Sequence, residues 1–257
     1  MMEPAFENIQ AKGATLPEQA AEQISKLIVE QHLTCEDKLP SEFELAELLG
    51  VGRGTIREGV KLLVARNVLE IRRGKGTYIA PNPGEIPDPL GFVYYPDQLR
   101  LALDLAEIRL QMEPWVARMA AERATAEDLK KLREACCVVE QDIVAERDHS
   151  RNDVLFHVAI AECTHNLVVP KLIPIITYAI TLFVSLTESR LKAQTLVDHR
   201  EILDAICDRD VERAAAAMER HIEYNRALLQ EIISHLGHDN GEIPSNAEEG
   251  GGLRTDP

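Results

Sequence analysis

The chain has 257 residues, 45% of them hydrophobic and 4% aromatic, enough for a buried core in one large domain or two smaller ones. With 28 Lys and Arg against 43 Asp and Glu, the net charge of −15 excludes general adhesion to nucleic acid or anionic membranes. The five cysteines (Cys35, Cys136, Cys137, Cys163, Cys207) form no C-x-x-C pair and no basic-then-apolar leader opens the sequence. The expectation is a cytoplasmic protein with reduced thiols.

Residues 1–14 have little pattern and read as a loose arm. "TLPE" at 15–18 has the spacing of a capping box, Thr15 with Glu18, and puts Pro17 in a first helical turn. Ile24, Leu27 and Ile28 continue at helical spacing. "SEFE", Ser41 to Glu44, opens a second, short helix through Leu49. "GVG" at 50–52 interrupts, and a third helix is predicted from Arg53 to Arg66 with Ile56, Val60 and Leu63 on one face. "VLEIRRGKGTYIA" reads as two short strands around a glycine-containing turn. Residues 1–80 are therefore expected to form one small domain.

Five prolines follow in sixteen residues (Pro81, Pro83, Pro87, Pro89, Pro96). Proline lacks an N–H and fixes φ, so 81–96 is read as an extended linker. From 97 to 236 the apolar rhythm is 3.6 residues, with helices predicted at 97–123, 126–147, 150–163, 166–189, 195–208 and 210–236. Thr125 with Asp128, and Asp210, mark two of the starts. "LIPIITYAITLFVSL" at 172–186 is short of the ~20 residues a membrane span needs, so it is read as a buried core helix. The Gly-rich, polar residues 237–257 are read as a disordered tail.

Charge is uneven. Residues 51–80 hold seven Lys or Arg and two acids, a basic island on an acidic chain. Three short helices and a hairpin outline a winged helix-turn-helix, whose third helix enters the DNA major groove first turn foremost. That turn carries Arg53, Thr55 and Arg57; Arg can read guanine through two hydrogen bonds, and Thr can bond a base or a phosphate. The hairpin tip "RRGKG" adds cations, among them Arg73 and Lys75, and Gly74 lets the backbone approach a phosphate.

"KLPSEFELAELLGVGRGTIREGVKLL" (38–63) followed by "RRGKGTYIA" (72–80) resembles the DNA-binding domain of the GntR family of bacterial transcription regulators. The L-P-S-E start, the V-x-R-x-T-I-R-E core and the G-x-G-T wing stand in order at the family's spacing. The resemblance implies Ser41, Glu42, Arg53, Thr55, Arg57 and Gly74 as DNA-facing positions. Phe43 stands where some members carry a DNA-contacting Arg, and Gly54 and Gly59 where larger residues or Ala are common. "EIRLQMEPWVARMAAERAT", "NDVLFHVAIAECTHN", "DHREILDAI" and "AAAAMERHIEYNR" are similar to pieces of the all-helical effector domain in the FadR-like branch.

Within that domain, Asp153 and His157 are spaced i, i+4 and so share a helix face. His157, His199 and His221 each sit on an apolar face, where a buried imidazole needs partners for both ring nitrogens. One carboxylate and three neutral imidazoles suit a single divalent transition metal, zinc first, with nickel, manganese or iron as alternatives. His32, His149, His165, His235 and His238 read as surface or loop residues. No H-E-x-x-H and no nucleophile motif accompanies the cluster, so the metal is read as holding a ligand without doing chemistry. The resemblance implies a small organic-acid effector, a hydroxy acid or sugar acid. Arg109 would fork onto its carboxylate, oriented by Glu113, and Asn166 would assist.

The sequence is thus read as mainly α: an N-terminal winged helix-turn-helix and a C-terminal all-α bundle over 97–236. The function implied is that of a ligand-responsive regulator, a repressor acting as a homodimer on a near-palindromic double-stranded operator, with no membrane partner. A metalloenzyme acting on hydroxy acids, or a regulator sensing the metal itself, are the rival readings.

Overall fold

The computed structural model of the chain describes residues 13–187 and 190–239, the last four by their backbone alone. Most of the expected N-terminal arm, and the expected tail beyond residue 239, lie outside these. The chain divides into two packed units between Pro89 and Leu90.

In the first unit local signals place the helices. Thr15 caps α1 (Leu16–Glu30) and Ser41 caps α2 (Glu42–Leu49), each in a complete capping box with the Glu three residues on. Gly50, at φ 65°, ends α2 in the left-handed conformation that favours glycine. α3 (Arg53–Ala65) follows, then β1 (Leu69–Arg72) and β2 (Gly76–Ile79), antiparallel with Leu69 opposite Ile79 and Arg72 opposite Gly76. Ile24, Leu27, Leu39, Leu45, Ile56, Leu63, Leu69 and Ile79 close a common core. α1 crosses α3 at Gly59, where an added Cβ would lie 2.9 Å from the Pro17 carbonyl oxygen. This crossing accounts for the glycine at that position.

The proline-rich segment 81–96 is divided between the units. The Asn67 side chain donates to the carbonyls of Asn82 (3.0 Å) and Glu85 (2.7 Å), tying its first half to the hairpin unit. Its second half contains a single 3-10 turn, Phe92–Tyr94, with the Phe92 ring 5.6 Å from that of Tyr178 in the helical unit.

The second unit is α4 (Gln98–Arg123), α5 (Ala126–Val144), α6 (Ser150–Glu162), α7 (Val169–Ile176), α8 (Tyr178–Leu186), α9 (Lys192–Cys207) and α10 (Val211–Asp239). The single helix predicted over 166–189 is two. Pro174 has no N–H to bond back into α7, and at Thr177 the ladder tightens, with the Ile180 N–H bonding the Thr177 carbonyl at 2.8 Å. The stretch Val169–Leu186 is long and apolar enough to cross a membrane by length and composition alone, with mean hydropathy 1.8. It is broken at Thr177 and buries one face, Val169, Ile173, Ala179, Ile180, Leu182 and Phe183, so the expectation of a single buried helix is corrected to two half-buried ones.

Among its described residues the helical unit has two apolar clusters. The larger takes Val116, Ala117 and Ala120 of α4, Phe156 and Ile160 of α6, Ile202 and Ile206 of α9, and Met218 and Ile222 of α10. The smaller takes Leu101 and Leu105 of α4, Leu182 and Phe183 of α8, and Leu229 of α10. On α4 and α10 the residues between the two sets include buried polar groups, Arg109 and Glu113 on one and Asn225 on the other. The core is therefore interrupted by a polar layer.

Candidate functional sites: a buried metal centre and a DNA-facing helix

Three more helices join α4 in that layer. α6 presents Asp153 and His157, α9 presents His199, α10 presents His221, and all four side chains are buried. One nitrogen from each histidine lies within 4.8 Å of the others. Asp153 Oδ1 stands 3.4 Å from both His157 Nε2 and His199 Nε2, yet none of these three atoms has a hydrogen-bond partner among the described residues. Two ligands each about 2.0–2.1 Å from a tetrahedral zinc stand roughly 3.4 Å apart, so the spacing leaves room for a cation where a hydrogen bond would be closer. Unpartnered buried polar atoms are costly, and three converging on one point fit a metal ion better than they fit one another.

Electrostatics agree with that fit. Burial pushes His199 well below its ordinary value, and its neighbours His221 and His157 add to the effect, keeping the ring neutral. Burial likewise lowers His221. Burial would raise Asp153, but the facing His199 and His157 hold it well below the usual carboxylate range. Burial thus favours the neutral form of two imidazoles, and the facing imidazoles favour the ionised form of the carboxylate, which are the forms metal binding uses. Phe156 stacks on His199 with ring centroids 4.3 Å apart and fixes its plane. Asp198 Oδ2 lies 3.5 Å from His221 Nδ1 while its other oxygen accepts from Gln194.

Arg109 and Glu113, one turn apart on α4, are each 2% exposed. Arg109 Nε donates to Glu113 Oε1, while one terminal Arg109 nitrogen is buried with no partner among the described residues. Glu113 Oε2 bonds His157 Nδ1. Burial would raise Glu113, but Arg109 and His157 outweigh it and hold the carboxyl down to about 2. No contact among the described residues brings Asn166 to this cluster: its side-chain oxygen accepts from the Val168 (2.8 Å) and Val169 (3.2 Å) N–H groups and shapes the entry to α7.

His149, read from the sequence as a surface or loop residue, does lie in the loop before α6 but not at the surface. It is buried at the N-cap of α6 with Nδ1 unpartnered among the described residues. The spacing 149, 153, 157 was the available signal, because each step is one helical turn. His165 is exposed beside Asp128, and His32 and His235 are exposed, as expected.

On the first unit, Arg53 and Arg57 are exposed on α3 and Thr55 is half-buried between them. Gly52 gives α3 no side-chain cap and its first turn carries no acid, so its positive end suits a phosphate. Arg57 is held by Glu42 through two contacts of 3.1 and 2.9 Å, so Glu42 orients that guanidinium. The Ser41 hydroxyl is engaged in its capping box with Glu44. At the hairpin tip Gly74 has φ 73°, and no described residue pairs with Arg53, Arg73 or Lys75. Arg72, the first cation of the "RRGKG" tip, instead lies 4.2 Å over the Tyr78 ring and bonds Glu70 and the Cys35 carbonyl. Two tip cations remain outward.

With this geometry in place, residues 16–79 match the family model "Bacterial regulatory proteins, gntR family" and residues 104–224 match the FCD domain. The chain is 31% identical over 227 residues to the Uxu operon transcriptional regulator of Escherichia coli, covering 81% of this chain and 84% of that one. It is 30% identical over 216 residues to the galactonate operon transcriptional repressor of the same organism, covering 81% and 94%. Among solved structures, Streptococcus agalactiae GntR superposes with a TM-score of 0.71 at 39% identity, covering 82% of this chain and 99% of that one.

Proposed function

The chain belongs to the GntR family of bacterial regulatory proteins and carries an FCD domain, and from that premise we propose that it is a cytoplasmic, homodimeric repressor that releases a near-palindromic operator when a small hydroxy or sugar acid binds its metal-containing pocket. It is a DNA-binding transcription regulator and not an enzyme. Asp153, His157, His199 and His221 would hold one divalent metal per chain, and a hydroxy carboxylate would chelate it. Arg73, Gly74 and Lys75 would hold the phosphate backbone while Arg53, Thr55 and Arg57 read bases, with Ser41 and Glu42 supporting them.

One observation carries the effector reading: a buried guanidinium with an unpartnered nitrogen, linked through one carboxylate to an unpartnered histidine cluster. An unpaired buried donor is expensive unless a ligand completes it, and Arg is the side chain suited to a carboxylate. The name of one relative carries galactonate, a sugar acid of this chemical class. Charge makes the metal a requirement. Glu113, Asp153 and Asp198 against Arg109 leave the layer net negative, which repels an organic anion until a divalent cation offsets it.

The test is a thermal-shift screen of aldonic, uronic and 2-hydroxy acids with metal-loaded and metal-stripped protein, since a ligand of the folded form raises apparent stability. A hit that requires metal, and that also frees an operator fragment, supports the reading. Operator release by metal alone would move the assignment to metal sensing.

A further inference from the structure

Glu113 is expected from the sequence only to orient Arg109 and has no assigned part in metal binding. It is not a ligand candidate, because its two oxygens are spent on Arg109 Nε and His157 Nδ1. We propose that Glu113 is a positioning residue that couples the acid anchor to the metal: one buried carboxylate shared between Arg109 and His157. The inference rests on the reading of Arg109 as acid anchor and of the histidine cluster as metal centre.

Glu113 accepts the His157 Nδ1–H, and this fixes the tautomer whose lone pair is on Nε2, the atom 3.4 Å from Asp153 Oδ1. A carboxylate behind a ligating histidine holds the ring plane and makes the other nitrogen a better donor. The same carboxylate is polarised by the Arg109 guanidinium, so whatever neutralises Arg109 changes how strongly Glu113 accepts from His157. An acid docking on the unpartnered Arg109 nitrogen does this without displacing Glu113, which is on Nε. Metal affinity and acid affinity are then linked through Glu113, and by reciprocity each alters the other by the same factor. All three groups are buried, where charge interactions are least screened. Asp198 supplies an internal comparison. It stands 3.5 Å from His221 Nδ1, which has no hydrogen-bond partner among the described residues, and its other oxygen is bonded to Gln194, so it lies behind a second ring with no hydrogen bond or ion pair to Arg109 among the described residues.

The test is a double-mutant cycle read by Co(II) alone on the full-length protein, with affinity from competition against a chromophoric chelator and the visible Co(II) band as the signature of ligand geometry. Glu113→Gln is expected to weaken Co(II) binding roughly 10–100-fold and to change the band. Arg109→Met, outside the proposed donor set of Asp153, His157, His199 and His221, is expected to change Co(II) affinity severalfold, and to have no such effect once Glu113→Gln is present. Asp198→Asn should weaken Co(II) while leaving the Arg109→Met effect intact. An Arg109→Met effect of equal size with and without Glu113→Gln overturns the proposal, as does wild-type affinity in Glu113→Gln. If Glu113→Gln fails to fold with Arg109 unpaired, the double variant, which leaves neither charge buried alone, must still bind Co(II) 10–100-fold more weakly than wild type. Wild-type affinity in the double variant overturns the proposal as well. A wild-type protein that takes up no Co(II) removes the metal centre and this inference with it; tight wild-type binding with unaltered variants removes only the role of Glu113.

Discussion

His157 has a carboxylate behind each ring nitrogen, Glu113 at Nδ1 and Asp153 at Nε2, and this places positive charge on or beside the ring. Burial works against a charged imidazole, but Glu113 and Asp153 together outweigh it, so the group is raised above its ordinary value. At His199 and His221 burial outweighs the carboxylates that face them, Asp153 for the first and Asp198 with Asp153 for the second, and both groups are lowered. The expected outcome is that the dialysed protein retains about one divalent metal per chain by elemental analysis, and that His199→Ala and His221→Ala each lose it. Full occupancy in both variants would refute the centre. On the first unit, Arg53→Ala is expected to cost about 1–3 kcal/mol of operator binding, the worth of one bidentate base contact. Arg57→Ala should cost a similar amount, and Glu42→Gln less, because it frees the guanidinium without removing it. A fluorescence-anisotropy titration with Arg53→Ala indistinguishable from wild type would show that α3 is not the reader.

Within α3 two glycines have opposite meanings. A Cβ at Gly54 meets nothing within 4 Å, whereas one at Gly59 meets the Pro17 carbonyl oxygen at 2.9 Å and Ala20 Cβ at 3.2 Å. Gly54→Ala is expected to stabilise the first unit by about 0.5–1 kcal/mol through helix propensity. Gly59→Ala gains the same propensity but forces α1 away from α3, and overpacking of a core typically costs about 1–3 kcal/mol, so it should destabilise. Hydrogen-exchange protection of the α1 and α3 amides in the full-length protein separates the two outcomes. Greater protection in Gly59→Ala would mean that the crossing yields more easily than its backbone contact implies. α6 makes a related point: His149, Asp153 and His157 form one stripe because each is a helical turn from the next, and only the last two were recognised from the sequence.

The whole chain is strongly acidic, so DNA attraction has to come from a few outward cations on the first unit: Arg53, Arg57, Arg73 and Lys75. Operator affinity should therefore fall steeply with salt, and Lys75→Ala should weaken all sequences alike and reduce the salt slope by about 1. An unchanged slope would place Lys75 away from the phosphates. Effector response belongs to the same scale. A bound acid can shift operator affinity only by its preference between two states of the protein, typically about 1–3 kcal/mol or 5–150-fold. A metal-dependent acid found by thermal shift should change operator affinity within that range. Arg109→Lys, which keeps a charge beside Glu113 and loses the fork, should abolish the change while leaving operator binding without acid unaltered.

What the sequence determined by itself was everything governed by near neighbours. The capping boxes at Thr15, Ser41 and Thr125 and the i, i+4 pairs Arg109–Glu113 and Asp153–His157 follow from helix geometry alone, so spacing was enough to find them. The mainly α architecture with a small winged unit follows from the same periodicities. What only the tertiary structure decided were contacts between elements distant in sequence. Glu113 meets His157 across 44 residues and Arg57 meets Glu42 across 15. Arg72 folds back over Tyr78 instead of pointing outward, and His149, in the loop before α6, is enclosed instead of exposed. The division at Thr177 lies between these cases: Pro174 was visible, but helix-forming apolar residues surround it, and only packing of α8 against α4 and α6 selected two short helices over one. Periodicity says which side of a helix is apolar. It does not say which polar groups on that side will find each other once four helices close around them, because that depends on side-chain packing across the bundle.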